Sequence, residues 1–255
     1  MSKVLIALSV YNDATTLSRA IESILAQTFS DWRLVVVDDG STDCSQKTIQ
    51  KYVNLDRRIK SISNKSNCGL AFSLNKAIAS GNEPLIARMD ADDFALPNRL
   101  EMQKNFLDIN PDVDVLGTAA KFRNQSGGSF RIITKPLVHD DIYSRIETIN
   151  PFVHSSVMMR RSFFDAMQGY DITCTRAQDY DLWLRGVDKY IYANLSDVLM
   201  EYEMRPQSFL SLIYGFKVRL SNGLRRKRFI IALVKALYVF LYGLLHKFKM
   251  SIRLR

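Results

Sequence analysis

Residues 85–100 read LIARMDADDFALPNRL, an apolar run that ends in three carboxylates within four positions, Asp90, Asp92 and Asp93. A short apolar run bounded by polar residues reads as a buried strand, which puts the three carboxylates at the end of that strand. Like charges this close repel and raise one another's pKa, so they are tolerated either in open water or around a bound cation. The segments that precede this run decide between the two.

The same unit of apolar run and polar cluster occurs twice earlier. Residues 4–10 and 33–37 are rich in Val, Ile and Leu; the first leads into Ser9-Val10-Tyr11-Asn12-Asp13 and the second into Asp38-Asp39-Gly40-Ser41-Thr42-Asp43. Helical patterns lie between. Thr15 or Thr16 is expected to cap a helix whose Leu17, Ile21, Ile24 and Leu25 form one stripe, Asp43 is expected to cap the next, and residues 70–80 supply a third that ends with Gly81 at C′. Strands alternating with helices of this length require parallel crossovers, so the fold class is α/β, with a Rossmann-like, mostly parallel central sheet and helices on both faces. Ligands of such sheets bind at the carboxyl ends of the strands. All three clusters fall on that edge. Turn chemistry explains any one of them, but not their convergence on one cleft. There the Tyr11 ring can stack on a base, and Asp39 can accept hydrogen bonds from a base or ribose. Neither GxGxxG nor GxxxxGK[ST] occurs, so the usual dinucleotide and P-loop fingerprints are missing.

Beyond residue 112 the pattern is mixed. Strands are expected at 113–122 and 130–134 around an Asn-Gln-Ser-Gly-Gly turn, then helices at 139–149 and 178–187. No repeat or Pro/Gly-rich linker interrupts residues 1–205, which read as one domain with halves 1–112 and 113–205. Cys44, Cys68 and Cys174 share no CxxC spacing, which argues against a zinc site or a disulfide framework and favours a reducing, cytoplasmic setting. The opening MSKVLIALSVYND has too short an apolar run for a signal peptide, so no cleaved targeting sequence is expected.

The formal charge of +9 is concentrated at one end: residues 204–255 carry 12 Lys or Arg and no Asp or Glu, leaving 23 basic against 26 acidic residues before them. No zinc-finger spacing, aromatic RNP-like strand or basic zipper accompanies the charge, so no nucleic-acid partner is expected. Residues 206–255 instead read as a basic helical tail. Its run FIIALVKALYVFLYGLL, residues 229–245, is at the short limit for a membrane span, and RRKR before it and HKFK after it suit a helix lying on an anionic membrane surface. A helix packed on the body or on a partner is the alternative.

SVYND, SILAQTFSDW, VVVDDGSTD, NCGLAFSLNKAI, RMDADDFALPNRL and AQDYDLWLR follow one another in an order and spacing that resembles the GT-A glycosyltransferases of family 2, over about residues 3–203. The resemblance implies transfer of a sugar from a nucleotide-sugar donor to a glycan or lipid-linked acceptor, with inversion, in cell-surface polysaccharide synthesis. It places the nucleotide on Val10, Tyr11, Asn12 and Asp39, with Arg88 and Asp90 beside the diphosphate, and a divalent Mn²⁺ or Mg²⁺ on Asp90 and Asp92, followed by Asp93. Hard oxygen ligands suit either ion. His154 in NPFVHSSVMMRR stands where relatives often place a histidine near the metal, against the plainer reading of a satisfied, partly buried residue. Arg88 and Arg99 flank the acidic element as phosphate binders, although Arg99 also reads as a solvated helix residue. Asp179 corresponds to the general base, against the alternative that Asp179 and Asp181 merely favour a helix N-terminus. The family's Glu-Asp pair is here Gln178-Asp179, which removes a negative neighbour and implies a weaker base or a different acceptor pocket. Trp183 and Leu184 read as core. With these residues the enzyme is expected at the cytoplasmic face of the membrane, peripheral through its tail. A nucleotidyltransferase, which would normally carry a Gly-rich basic loop after the first strand, and a non-catalytic carbohydrate- or membrane-binding scaffold are the competing classes.

Overall fold

The computed structural model describes residues 3–123, 130–203 and 209–253. In chain order the elements are β1 (Val4–Val10), α1 (Ala14–Leu25), β2 (Trp32–Asp38), α2 (Ser45–Leu55), β3 (Ile59–Ser63), α3 (Leu70–Ala79), β4 (Leu85–Asp90), β5 (Phe94–Ala95), α4 (Arg99–Ile109), β6 (Val113–Arg123), β7 (Phe130–Ile133), α5 (His139–Arg145), a 3₁₀ turn (His154–Ser156), β8 (Met158–Arg160), α6 (Arg161–Ala166), α7 (Gln178–Gly186), β9 (Ile191–Glu203), α8 (Phe209–Arg225) and α9 (Phe229–Arg253). The strands form one sheet in the order β3-β2-β1-β4-β8-β6-β9-β5, with β7 paired to β6. The first four are parallel, β8 is antiparallel to β4 and β6, and β9 runs parallel to β6. The expected Asn-Gln-Ser-Gly-Gly turn and the tail boundary at Pro206 lie outside the described residues.

Period-two alternation splits the core. Val4, Ile6 and Leu8 of β1 face α1, α2 and α4, while Leu5 and Ala7 face the helices of the other side, among them α3 and α7. Because β1 is covered on both faces it reads as an unbroken apolar run, as expected of a central parallel strand. The register aligns the polar ends: Val10 lies opposite Asp38, Ser9 opposite Asp90 and Asp38 opposite Ser63.

Several expectations need correction. Thr15 and Thr16 lie inside α1, which begins after Asp13. The N-terminal amide of α1 is instead capped from the neighbouring loop, because Asp43 Oδ2 accepts from Ala14 N at 3.0 Å while its Oδ1 accepts from Ser45 N at 2.9 Å. One carboxylate thus serves the starts of two helices, a long-range cap that no local pattern reveals. The Ser45 hydroxyl and these amides hold Asp43 below the usual carboxylate range. Gly81 does follow α3, but for a steric reason: a Cβ there would stand 1.8 Å from Arg33 Nη2 and 2.2 Å from Glu83 Oε2. The sequence reading missed β9 because Thr118 and Ala119 of β6 pair with Leu195 and Val198, so that Ser196 and Asp197 bulge out and break the alternation.

The tail packs on the body. Leu212 and Val218 of α8 and Ala232 and Ala236 of α9 are buried. Arg225 pairs with Asp181, Arg226 with Glu147 and Asp188, and Lys235 with Glu147 at 2.7 Å. Lys235, the one charge inside the apolar run, is therefore a clamp. The outer face of α9 stays apolar and exposed through Ile230, Val234, Tyr238, Leu241 and Tyr242. Among the described residues no helix is long and apolar enough to cross a membrane.

Candidate active site

The loops after β1 and β2 are tied to each other. Asn12 sits in the left-handed region at φ 51, a conformation asparagine tolerates well. Its N–H donates to Ser41 Oγ at 3.0 Å and its Oδ1 accepts from Thr42 N at 2.7 Å. Val10 is core, and its carbonyl accepts from Asp39 N at 2.8 Å. Asp39 is 2% exposed. Asn64 Nδ2 at 2.7 Å, Cys68 N at 2.9 Å and Gly69 N at 2.9 Å all donate to its carboxylate, fastening the loop before α3. Gly40, at φ 77, is obligatory because a Cβ would meet the backbone carbon of Ser66 at 2.6 Å. Of the four residues expected to hold a nucleotide, Tyr11, 47% exposed, and Asn12 are exposed, whereas Val10 and Asp39 are buried. Val10 and Asp39 are joined beneath the loop that Asn12 ties to its neighbour.

Across the edge, Asp90, Asp92 and Asp93 bring carboxylate oxygens within 4.8 Å of one another. Asp93 is 1% exposed, and burial pushes its carboxyl up to about 8, with the charge of Asp90 adding to the effect. A set of hard oxygen donors whose own repulsion favours protonation suits a divalent cation, which would relieve that repulsion. Asp90 and Asp92, with Asp93 behind them, would hold it.

Arg88 is 2% exposed and presses its guanidinium on Asp90. Arg99 is wholly buried and donates to the Arg88 carbonyl at 2.7 Å and to Gln103 Oε1 at 3.1 Å. It is neither a phosphate binder nor a solvated residue. Burial lowers its pKa to about 9 against the pull of Asp93. His154 stays outside the carboxylate cluster: its Nε2 shares a 3.0 Å hydrogen bond with the Tyr170 hydroxyl. Burial, reinforced by Arg88, keeps the imidazole neutral, with a pKa well below 6.5.

Asp179 lies half-buried in the first turn of α7, where Asn150 Nδ2 donates to its Oδ2 at 2.6 Å. The Tyr170 hydroxyl feels Arg88, Asp179 and Asp90 together, which sets it between the acidic cluster and α7. Asp181 is different. Arg185 Nε at 2.7 Å and both Nη atoms of Arg225 engage it, so it fastens α8. Trp183 and Leu184 are core as expected.

The profile of glycosyl transferase family 2 matches residues 5–167, more than half of the chain. The chain belongs to this family. The O-antigen biosynthesis glycosyltransferase WbnJ of Escherichia coli is 31% identical over 255 residues, covering 96% of this chain and 97% of WbnJ. S. aureus TarS in complex with UDP superposes with a TM-score of 0.70 at 19% identity, over 93% of this chain and 71% of that one. The mannosyltransferase PcManGT from Pyrobaculum calidifontis, in complex with GDP-Man and Mn²⁺, gives 0.69 at 16% over 96% and 74%. At such identities the structural matches establish the GT-A fold, in which a divalent metal is in general use. Together with the family assignment, the protein is a glycosyltransferase that uses nucleotide sugars.

In this family-2 enzyme the residues that the sequence reading missed are the ones that hold others: Asn64 on Asp39, Asn150 on Asp179, and Tyr170 on His154. Asn150 had a faint signal, a polar residue ahead of Pro151 in a segment already singled out for His154. Asn64 and Tyr170 had none.

Proposed function

We propose that the protein is a metal-dependent, inverting transferase that moves one sugar from a nucleoside-diphosphate sugar to a hydroxyl of a glycan or lipid-linked acceptor in cell-surface polysaccharide synthesis. The observation that carries this reading is the crowded carboxylate trio at the end of β4, on the same sheet edge as the two cross-tied loops. Tyr11 stacks on the base, and Asp39 keeps the loop before α3 in place beside it. Asp90 and Asp92 would hold Mn²⁺ or Mg²⁺, and the bound ion would supply positive charge against the departing diphosphate. Arg88 holds Asp90 from below. Asp179, oriented by Asn150, removes the proton of the acceptor hydroxyl as its oxygen bonds the anomeric carbon and the bond from that carbon to the diphosphate breaks on the opposite face. Residues 1–112 serve the donor and 113–205 the acceptor.

The tail supports a peripheral position on the cytoplasmic face. The exposed apolar face of α9 meets the membrane, while Lys227 and Arg228 in the turn before it face anionic headgroups. Binding to anionic vesicles should exceed binding to neutral ones and weaken with salt.

The decisive experiment is a panel of nucleotide sugars tested for thermal stabilisation with Mn²⁺ and with EDTA, followed by transfer from whichever donor binds. Stabilisation that needs the metal, and product of inverted anomeric configuration, are expected. Equal stabilisation in EDTA refutes metal dependence.

A further inference from the structure

A cavity of about 580 Å³ lies between the start of α7 and the helix pair α8–α9. Its volume is in the range of pockets that enclose small ligands. At one end are Asn150, the residue that orients Asp179, and Tyr202, whose hydroxyl feels Asp90 and Asp93. The tail helices add apolar lining through Leu212, Phe216, Val239 and Phe240. Two cations, Lys135 and Arg219, line it, and no carboxylate does.

The state of the two cations narrows the ligand. Lys135 Nζ donates to the Asn150 carbonyl at 2.8 Å, which leaves an ammonium two further donors. Burial lowers its pKa, and Asp179 offsets part of that. Arg219 donates to the carbonyls of Glu147, Gly215 and Thr148 and keeps a charge that no carboxylate lining the cavity matches. A neutral sugar chain would satisfy the polar groups but leave the apolar wall wet and bring no negative charge to Lys135 and Arg219, which Asp179 and the Tyr180 ring meet only in part. An anion joined to an apolar stem satisfies all three surfaces.

We propose that this cavity is the acceptor site and that it receives a phosphate-bearing amphiphile, with the head at Lys135 and Arg219 and the stem against Phe216 and Val239. The proposal rests on the reading of Asp179 as the base, which fixes where the accepting hydroxyl must stand, and it turns the tail helices from an anchor into part of the substrate site.

The test uses the full-length protein and decyl phosphate below its micellar concentration, measured by calorimetry. One decyl phosphate should bind per chain. Inorganic phosphate should bind at least about a hundredfold more weakly, since the stem buries several methylenes, and a neutral decyl glycoside about tenfold more weakly for want of the charged hydrogen bonds. Val239→Glu, which puts an unpaired charge in the apolar wall, should weaken decyl phosphate about tenfold or more; Lys135→Gln should lose the preference for phosphate over glycoside. Ile230→Glu and Val234→Glu, on the outer face of α9, should change neither. Equal affinity for phosphate and glycoside, absence of saturable binding, or sensitivity only to the outer-face variants would each overturn the proposal. Asp179→Asn separates the two readings: decyl phosphate bound by a variant that still transfers normally supports the cavity while overturning the base.

Discussion

Two clusters of this molecule look alike at first and differ in how their charge is met. Asp90, Asp92 and Asp93 bring their oxygens within 4.8 Å of one another, and so do the ligand atoms of Asp171, Cys174 and Asp181. In the second cluster Asp181 carries two arginines, Asp171 accepts from Thr173 N and Oγ1, and burial pushes the Cys174 thiol up to about 11. A protonated thiol is a poor metal ligand, and a carboxylate already paired with two guanidinium groups gains little from a cation. In the first cluster Arg88 pairs with Asp90, and burial with the charges of Asp90 and Asp92 lifts Asp93 to about 8. Proximity of acidic groups therefore does not distinguish a metal site from a structural node. The two arginines on Asp181 mark the second as a structural node.

The largest expected effect breaks the first cluster. On the proposed metal site, Asp92→Asn should abolish metal-dependent donor binding while the melting temperature without metal stays near that of the parent. Nucleotide affinity with Mn²⁺ that survives the substitution would remove the distinction between the clusters. Next come the two acids of one helical turn. Asp179→Asn should lower transfer by about 10²- to 10⁴-fold with donor affinity kept, whereas Asp181→Asn should leave the rate per folded molecule near normal. If Asp181→Asn instead matches the loss seen at Asp179, the base has been assigned to the wrong residue. The effect of Asp181→Asn falls on stability: breaking a buried pair costs about 3 kcal/mol or more, read from denaturant unfolding, since Arg185 stays behind without its partner. A shift under about 0.5 kcal/mol, typical of exposed pairs, would show that the node does not fasten the tail. The smallest effect concerns Cys174. At pH 8 iodoacetamide should label the exposed Cys44 and Cys68 first and Cys174 far more slowly, with the Cys174 rate climbing as pH approaches about 11. Equal labelling at pH 8 would mean that Cys174 carries a ready thiolate, and the second cluster would have to be reconsidered as a metal site.

Local patterns carried the parallel half of the fold because each of its elements announces itself within a dozen residues: unbroken apolar runs for strands covered on both faces, a 3.6-period stripe for α1, polar clusters where the strands end. The roles of Asp90, Asp92 and Asp179 came from the motifs shared with family 2 and not from these local patterns. Such patterns failed wherever a residue's partner is far along the chain. Asp43 caps α1 from across the loop, Asn150 reaches Asp179 over 29 positions, and Lys235 answers Glu147 over 88.

What the amino-acid order alone determined, then, is the α/β alternation, the edge at which the chemistry gathers, the separation of an acidic body from a basic tail, and membership of a nucleotide-sugar transferase family through its motifs. Only the tertiary structure decided which of two acidic clusters is balanced by arginines, which residues of the first loops face outward, and that the tail helices close a cavity beside Asp179. The reason is physical: backbone periodicity and turn chemistry depend on neighbours a few residues away, whereas charge compensation and burial depend on which side chains meet after the chain has packed.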